Sequence, residues 1–332
     1  MSPPPSRLFP ERVDFRAPHV WLVLLVIAAL LLLPVYTRLA GEAYWLTLLS
    51  RVMIYGIAAT SLNLLVGYTG LVSLGHALFI GLGAYAVGIP AFHGIENGWL
   101  QLLIAVLACA VVGLLTGLVV LRTQGMAFIM ITLAFAQMFF YLGVSLKQYG
   151  GDDGIPLAAR STLAPIDLAS GTQLYYTVLA LLLATLYLCW RLVHSRFGYV
   201  LRGIRSNERR MKALGFAVQR YKLAAYTLSG ALTGIAGFLL ANLTSYVSPA
   251  YSAWTVSGEL VVMVILGGIG TVFGGLIGAL ALLLFEEALT SMTEHWMAVL
   301  GLAIVAVVQL SQNGLYGSLR RRRPGTRQAG HD

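Results

Sequence analysis

Long stretches without aspartate, glutamate, lysine or arginine dominate this sequence. Eight of them occur, at residues 17–37, 52–95, 97–121, 123–146, 168–190, 223–258, 260–285 and 295–319. Each is at least as long as the roughly 20 residues that cross a bilayer core as a helix. The polar segments between them are loop-sized, and only 11% of the 332 residues are charged, which leaves no soluble catalytic domain. We therefore predict an all-α fold, a polytopic transmembrane helical bundle.

Glycine-rich breaks divide two stretches that are too long for single helices. One break is predicted at Gly67–Gly70 and the other at Gly267–Gly270, because glycine interrupts helices. The predicted spans are 19–37, 44–66, 71–92, 99–121, 125–146, 173–193, 223–246, 256–268, 272–289 and 295–316. This gives ten spans, or nine if the second break belongs to a re-entrant element.

The distribution of lysine and arginine predicts the orientation, since cytoplasmic loops collect positive charges. With a cytoplasmic N-terminus, 18 of the 22 lysine and arginine residues fall in cytoplasmic segments. An even span count then places both termini in the cytoplasm. The predicted regions are tails at 1–18 and 317–332 around a membrane domain at 19–316, with a cytoplasmic loop at 194–222 and a periplasmic loop at 147–172. The collection of lysine and arginine in cytoplasmic segments therefore explains most of the +9 net charge. The sequence does not indicate nucleic-acid binding.

Two glycine-rich segments occupy matching positions in a ten-span arrangement. One reads GLVSLGHALFIGLGAY from Gly70, and the other reads GGIGTVFGGLIGAL from Gly267. Paired segments of this kind indicate an inverted five-plus-five repeat with a transport pathway between its halves. The alternative is that the glycines only permit close helix packing. The candidate structural glycines are Gly70, Gly75, Gly83, Gly267, Gly268, Gly270, Gly274 and Gly278.

Polar residues inside the apolar stretches are the candidates for lining a pathway, because ionisable groups in a membrane are costly. His76 and Ser73 lie in the glycine-rich third span, and Glu259 begins an apolar stretch. Ordinary roles are the alternatives. His76 and Ser73 can hydrogen-bond to neighbouring residues, and Glu259 can interact with the positive end of its helix.

The segment SNERRMKALG, from Ser206 to Gly215, predicts one complete short helix in the cytoplasmic loop. Ser206 suits the N-cap, Glu208 favours the positive end, and Gly215 suits the left-handed C-terminal position. Met211 and Leu214 share a face, and so short a helix needs a docking surface. That surface is either the lipid headgroups or a groove in an ATPase subunit. The candidate ATPase-coupling residues are Arg205, Ser206, Glu208, Arg209, Met211, Lys212, Leu214 and Gly215.

Motifs for chemistry are missing from the sequence. None of the three lysines follows the glycine-rich loop with which ATPases hold phosphates. The two cysteines, Cys109 and Cys189, lack metal-binding spacing. We therefore predict that the chain is not an enzyme and has no catalytic residue, metal site or cofactor of its own.

Six ordered segments carry a resemblance to a known family. They are GLVSLGHALFIGLGAY, TQGMAFIMITLAFAQM, GGDDGI, SRFGYVLRGIRSNERRMKALG, YKLAAYTLSGALTGIAG and GELVVMVILGGIGTVFGGLIGA. They resemble the LivM-type permeases of bacterial branched-chain amino acid ABC importers. The resemblance implies an inner-membrane subunit, in contact with lipid, that pairs with a LivH-type second permease and a periplasmic binding protein. It further implies two cytoplasmic ATPases, which bind ATP and Mg²⁺ and contact Ser206–Gly215.

The resemblance implies a branched-chain, hydrophobic amino acid as the substrate. Similar permeases are associated with urea, short amides or other small carboxylates, and these are alternative substrates. From the residues alone, a self-sufficient secondary transporter driven by an ion gradient is the rival hypothesis. Uptake by the isolated chain would distinguish this rival from an importer subunit.

Overall fold

The computed structural model describes residue 34 and residues 43–163, 166–292 and 294–310. Its helices are α1 Ala43–Thr69, α2 Ala77–Phe92, α3 Gly98–Val120, α4 Met126–Ser145, α5 Gly171–Val193, α6 Arg196–Ser206, α7 Glu208–Ala213, α8 Val218–Thr244, α9 Trp254–Gly267, α10 Gly274–Met292 and α11 Trp296–Leu310. Its strands are β1 Ile155–Pro156, β2 Thr162–Leu163, β3 Ile166–Asp167 and β4 Tyr246–Val247; β1 pairs with β4 and β2 with β3, both antiparallel.

Six helices in the described ranges are long and apolar enough to cross a membrane, namely α1, α3, α4, α5, α8 and α10. The apolar helices α2 and α9 are shorter. The prediction of a mainly helical, multi-span protein is therefore confirmed. The predicted first span at 19–37, both predicted tails and the last residues of the tenth span lie outside the described residues.

Helices α1 and α8 lie at the centre of the bundle. Helix α1 packs against α5, α8 and α10, and α8 also packs against α2 and α3. Residues such as Ile57, Leu62 and Phe238 are fully buried between these helices. In contrast, α3 and α4 expose many large apolar side chains, including Leu107 and Met130. An apolar outer surface is the pattern expected of a helix that faces lipid or another membrane subunit.

The bundle has two different ends. We call one the strand end, because it contains β1–β4 in the segments 146–170 and 246–247. The other is the basic end, formed by α6, α7 and the residues that join them to α5 and α8, 194–217. Because α5 runs from the first segment to the second, the two lie at opposite ends of a membrane-length helix.

Both predicted glycine breaks are present. Helix α1 ends just before Gly70, which has φ +77°, and α9 ends just before Gly268, which has φ +121°. Gly270 also has a positive φ, +81°, a conformation that residues with a Cβ rarely adopt. The predicted third span differs from the structure, because its helix begins at Ala77 and residues 70–76 are irregular. These residues are held by non-helical hydrogen bonds, such as the one from Leu74 N to Thr132 Oγ1 (3.2 Å).

The remaining candidate glycines lie where backbones approach closely. A Cβ would overlap a backbone atom of another segment at each of them: Gly75 with Thr132, Gly83 with Gly234, Gly267 with Gly274, Gly274 with Gly268, and Gly278 with Met263. Small residues allow helices to approach in this way. The α9–α10 hairpin is thus closed by glycine contacts near its turn.

Candidate coupling surface and interior polar site

The predicted short cytoplasmic helix begins one residue later than expected, because its N-cap is Asn207. Ser206 is the last residue of α6, and Asn207 leaves the helical conformation with φ −159° and ψ 99°. Its side chain accepts a hydrogen bond from Arg210 N (2.9 Å) and caps α7. The predicted N-cap at Ser206 is therefore wrong. Both residue types suit this position, but α6 continues through Ser206 and leaves the cap to the next residue.

The C-terminal end of α7 has the predicted left-handed glycine. Gly215 has φ +85°, Gly215 N donates to Lys212 O (3.0 Å), and Phe216 N donates to Met211 O (3.2 Å). These bonds satisfy carbonyls that the helix itself leaves without partners. Helix α7 therefore has a defined start and a defined end although it contains only six residues.

The carboxylate of Glu208 connects α7 to two other parts of the chain. It accepts from Lys222 Nζ (2.6 Å) on α8, from Lys212 Nζ (2.8 Å) on α7, and from Gln124 Nε2 (3.3 Å) between α3 and α4. The Lys222 side chain is 4% exposed, whereas that of Lys212 is 50% exposed. Burial acts to raise the pKa of Glu208, but the hydrogen bonds and charges of the two lysines outweigh it and lower the pKa below its ordinary value.

The two apolar residues predicted to share a face of this helix have different surroundings. Met211 is partly buried, with its sulfur against Gly203 of α6, whereas Leu214 is 66% exposed. Phe216, just beyond the helix, is 39% exposed. The structure thus separates the two residues by exposure, because α6 partly covers Met211, and their contact with a partner stays a prediction. The large apolar side chains exposed directly after α7 are Leu214 and Phe216.

Arg209 and Arg205 are both exposed residues, but Arg205 also contacts the chain itself. Arg205 lies at the end of α6, and its Nη1 donates to the carbonyl oxygen of Gly67 at the end of α1. This contact could not be read from the sequence pattern.

His76 is fully buried just before α2 and belongs to a polar chain that crosses three segments. Its Nε2 lies 2.7 Å from Ser229 Oγ on α8, and Ser229 Oγ donates to Ser61 O on α1 (2.6 Å). Because the single hydroxyl proton of Ser229 is used in this way, His76 Nε2 must be the donor of the other bond. Nδ1 of His76 is buried and has no hydrogen-bond partner among the described residues. The partner of His76 Nε2 is thus the hydroxyl of a residue on another helix.

Ser73 and Glu259 lie in contrasting environments. Ser73 is fully buried, and its Oγ accepts from Gly75 N (3.2 Å). Glu259 is exposed on α9, whereas Ser257 is fully buried and accepts from Ala77 N at the start of α2 (2.9 Å). Two residues apart on a helix point in roughly opposite directions, about 200° apart. The interior site therefore includes Ser257, Ser229 and Ser61, small uncharged residues that are common in membrane helices and carry no distinctive sequence signal.

The described part of the chain contains no group of three or more histidine, cysteine or acidic residues arranged to hold a metal ion. Both cysteines are unpaired and buried. Two features of the described residues remain as functional candidates. They are the exposed surface of the basic end and the buried chain of hydrogen bonds through His76, Ser229 and Ser61.

Comparison with known proteins gives these features a context. Residues 44–308 match the family described as branched-chain amino acid transport system / permease component. The chain belongs to this family. It is 29% identical over 287 residues to the high-affinity branched-chain amino acid transport system permease protein LivM of Salmonella typhimurium, covering 79% of this chain and 68% of the relative. It is 28% identical over 315 residues to Escherichia coli LivM, covering 88% and 74%.

A more distant relative is named for a different substrate. The chain is 25% identical over 263 residues to the autoinducer 2 import system permease protein LsrC of Salmonella typhi, with 75% of this chain and 73% of the relative covered. No solved structure matches the chain significantly. Membership of a permease family agrees with the predicted multi-span membrane protein. The LivM and LsrC relatives are all named as permease proteins of transport systems.

We expect the polar chain of this permease family member to depend on the Ser229 hydroxyl. Ser229→Ala leaves His76 Nε2 buried without a partner, which costs about 1–2 kcal/mol of the free energy of unfolding. Thr227→Val is the matched control on the same helix, because the buried Thr227 hydroxyl has no hydrogen-bond partner in the part of the chain that the structure describes. Thermal unfolding in detergent should show a lower Tm for Ser229→Ala only. Equal losses in both variants would contradict the assignment of the hydrogen bonds.

Proposed function

We propose that the chain is the permease subunit of an ATP-driven importer that carries branched-chain amino acids across the bacterial inner membrane. The observation that carries this proposal is the family match over residues 44–308. Further support comes from the two LivM relatives, each aligned over more than two thirds of its own length. In this proposal the chain has ten spans and cytoplasmic termini, with tails at 1–18 and 317–332 around a membrane domain at 19–316.

The proposed partners are a LivH-type second permease, two cytoplasmic ATPases that bind ATP and Mg²⁺, and a periplasmic binding protein. The ATPases meet the basic end, and the periplasmic partner meets the strand end. Support for the first contact comes from Leu214 and Phe216, which are exposed beside a defined short helix with arginine and lysine around it. Exposed apolar side chains next to charges are typical of a protein-binding surface.

The proposed pathway lies between this chain and the second permease. Glu259 is the pathway candidate best placed for such an interface, because its carboxylate is exposed on an apolar helix. An exposed carboxylate at membrane depth is costly unless a partner or a water-filled path covers it. Ser73 and His76 are covered by the chain itself, and we propose that they fix the start of α2 beside that path.

Transport by the reconstituted components tests this function. Proteoliposomes that contain this chain, the second permease, the ATPases and the binding protein should accumulate radiolabelled leucine, isoleucine or valine only with ATP. Liposomes that contain this chain alone should not. Ion-driven uptake by the isolated chain would overturn the proposal in favour of a secondary transporter.

Substrate competition separates the remaining substrate classes. Unlabelled autoinducer 2 is included because the LsrC relatives are named for it, and urea and short amides are included as small polar alternatives. Branched-chain amino acids should compete for uptake and the others should not. Competition by one of the others alone would reassign the substrate but leave the importer role intact.

A further inference from the structure

Arg205 reaches the point at which the two glycine breaks meet. Its Cγ lies 3.4 Å from the Cβ position of Gly70, the first residue after α1. Its Nη1 donates to the carbonyl oxygen of Gly67 and lies 3.2 Å from the Cβ position of Gly270. One side chain from the basic end thus contacts both interruptions in the membrane helices.

The turn that contains Gly270 is itself bound to α1. Asn63 Nδ2 donates to Thr271 O (2.7 Å), and Asn63 Oδ1 accepts from Gly270 N (2.9 Å). A Cβ at Gly67 would lie 2.6 Å from Gly270 N, so the two backbones touch without an intervening side chain. The turn of residues 268–273 between α9 and α10 therefore rests on the last turns of α1, directly beside the guanidinium.

The bond between Arg205 and Gly67 is well suited to join these segments. Gly67 is one of the last four residues of α1, whose carbonyls have no partner within the helix. A positive charge at the negative end of a helix is favourable, and a charged donor forms a stronger bond than a neutral one. A rigid, planar guanidinium also holds its direction better than a flexible ammonium group.

We propose that Arg205 is a positioning residue that makes α6–α7 and the α9–α10 turn move as one unit. The proposal rests on the proposed function, in which ATPases act on the basic end. Arg205 then transmits their movement inward to both glycine breaks and is not itself an ATPase contact. Asn63 completes the connection, since it holds the turn against α1.

Uncoupling of ATP hydrolysis from transport is the expected consequence of removing this side chain. In the complete importer, Arg205→Gln should lower substrate uptake per ATP hydrolysed by about tenfold, the size expected for one lost charged hydrogen bond. Arg205→Lys should restore the yield only in part. Arg196→Gln is the control on the same helix, because Arg196 is exposed and makes no hydrogen bond within the described ranges.

A distance measurement tests the physical connection directly. Spin labels at Arg210→Cys on α7 and Ile269→Cys in the turn both occupy exposed positions. With Arg205 present, their separation should be the same without nucleotide and with ATP bound. With Arg205→Gln, the separation should change or broaden on ATP binding. The buried Cys109 and Cys189 are replaced by alanine in every sample.

The outcomes separate this inference from the proposed function. Unchanged uptake per ATP in Arg205→Gln, or the same label distances in both backgrounds, would overturn the connection while the importer role stands. If Arg205→Gln instead prevents assembly with the ATPases, Arg205 is a contact residue and the inference is wrong. A wild-type complex without ATP-driven uptake would overturn the proposed function itself.

Discussion

Replacing Gly278 by leucine is expected to prevent folding of the α9–α10 hairpin. Any Cβ at this position would overlap the carbonyl oxygen of Met263, which is a backbone atom of the facing helix. Backbone atoms cannot rotate away as a side chain can, so the two helices must separate along their length. We expect loss of the monodisperse peak in size-exclusion chromatography of the detergent-solubilised protein.

A second glycine in the same hairpin provides the control. Gly258 lies in α9, and a Cβ there would meet no atom of the described residues within 4 Å. Leucine has a better helix propensity than glycine by about 0.8 kcal/mol, so Gly258→Leu should fold at least as well as the wild type. Equal yields of folded protein from Gly278→Leu and Gly258→Leu would contradict the close contact with Met263.

The second large effect is expected at the carboxylate that holds α7 in place. Glu208→Gln leaves the buried ammonium group of Lys222 without its anionic partner, which lies 2.6 Å away in the wild type. Loss of such a partner should lower the free energy of unfolding by about 2–3 kcal/mol. A lower Tm and loss of ATP-driven uptake should therefore occur together, because α7 loses its attachment to α8.

The other lysine at the same carboxylate gives the matched comparison. Lys212 is 50% exposed, so Lys212→Gln should change stability by about 0.5 kcal/mol or less. Double replacement by Glu208→Gln and Lys222→Met removes both charges and should recover most of the lost stability. Similar losses for Lys212→Gln and Glu208→Gln would show that burial of Lys222 does not matter.

Acid should abolish the difference in Tm between the wild type and Glu208→Gln. The pKa of Glu208 is lower in the folded protein than its ordinary value of 4.5. Its ionised form therefore stabilises the fold fully above that value, and the contribution is lost as the pH falls through the lower, folded pKa. The Tm difference between wild type and Glu208→Gln should persist at pH 7 and disappear only below about pH 4.5.

Patterns within single segments predicted their features well. The glycine breaks after α1 and α9 and the left-handed Gly215 follow from the conformational preferences of glycine, which depend on few neighbours. The N-cap of α7 was missed by one residue, because Ser206 and Asn207 are both suitable caps. The choice between them depended on where α6 ends.

Contacts between distant segments were beyond the reach of the same patterns. Met211 is covered by Gly203 and Leu214 is not, although both fit one apolar face of an isolated helix. His76 finds its hydroxyl partner in Ser229, a residue 153 positions away. Neither pairing follows from spacing, since each depends on how two helices pack.

The sequence alone determined that this chain is a multi-span helical membrane protein interrupted by glycine, because hydropathy and backbone freedom are properties of local segments. The tertiary structure decided which polar groups meet: Glu208 with the buried Lys222, and Arg205 with Gly67 beside the turn at Gly270. The physical reason is that the partner of each charged group depends on how whole helices pack together. A local sequence pattern does not encode that packing.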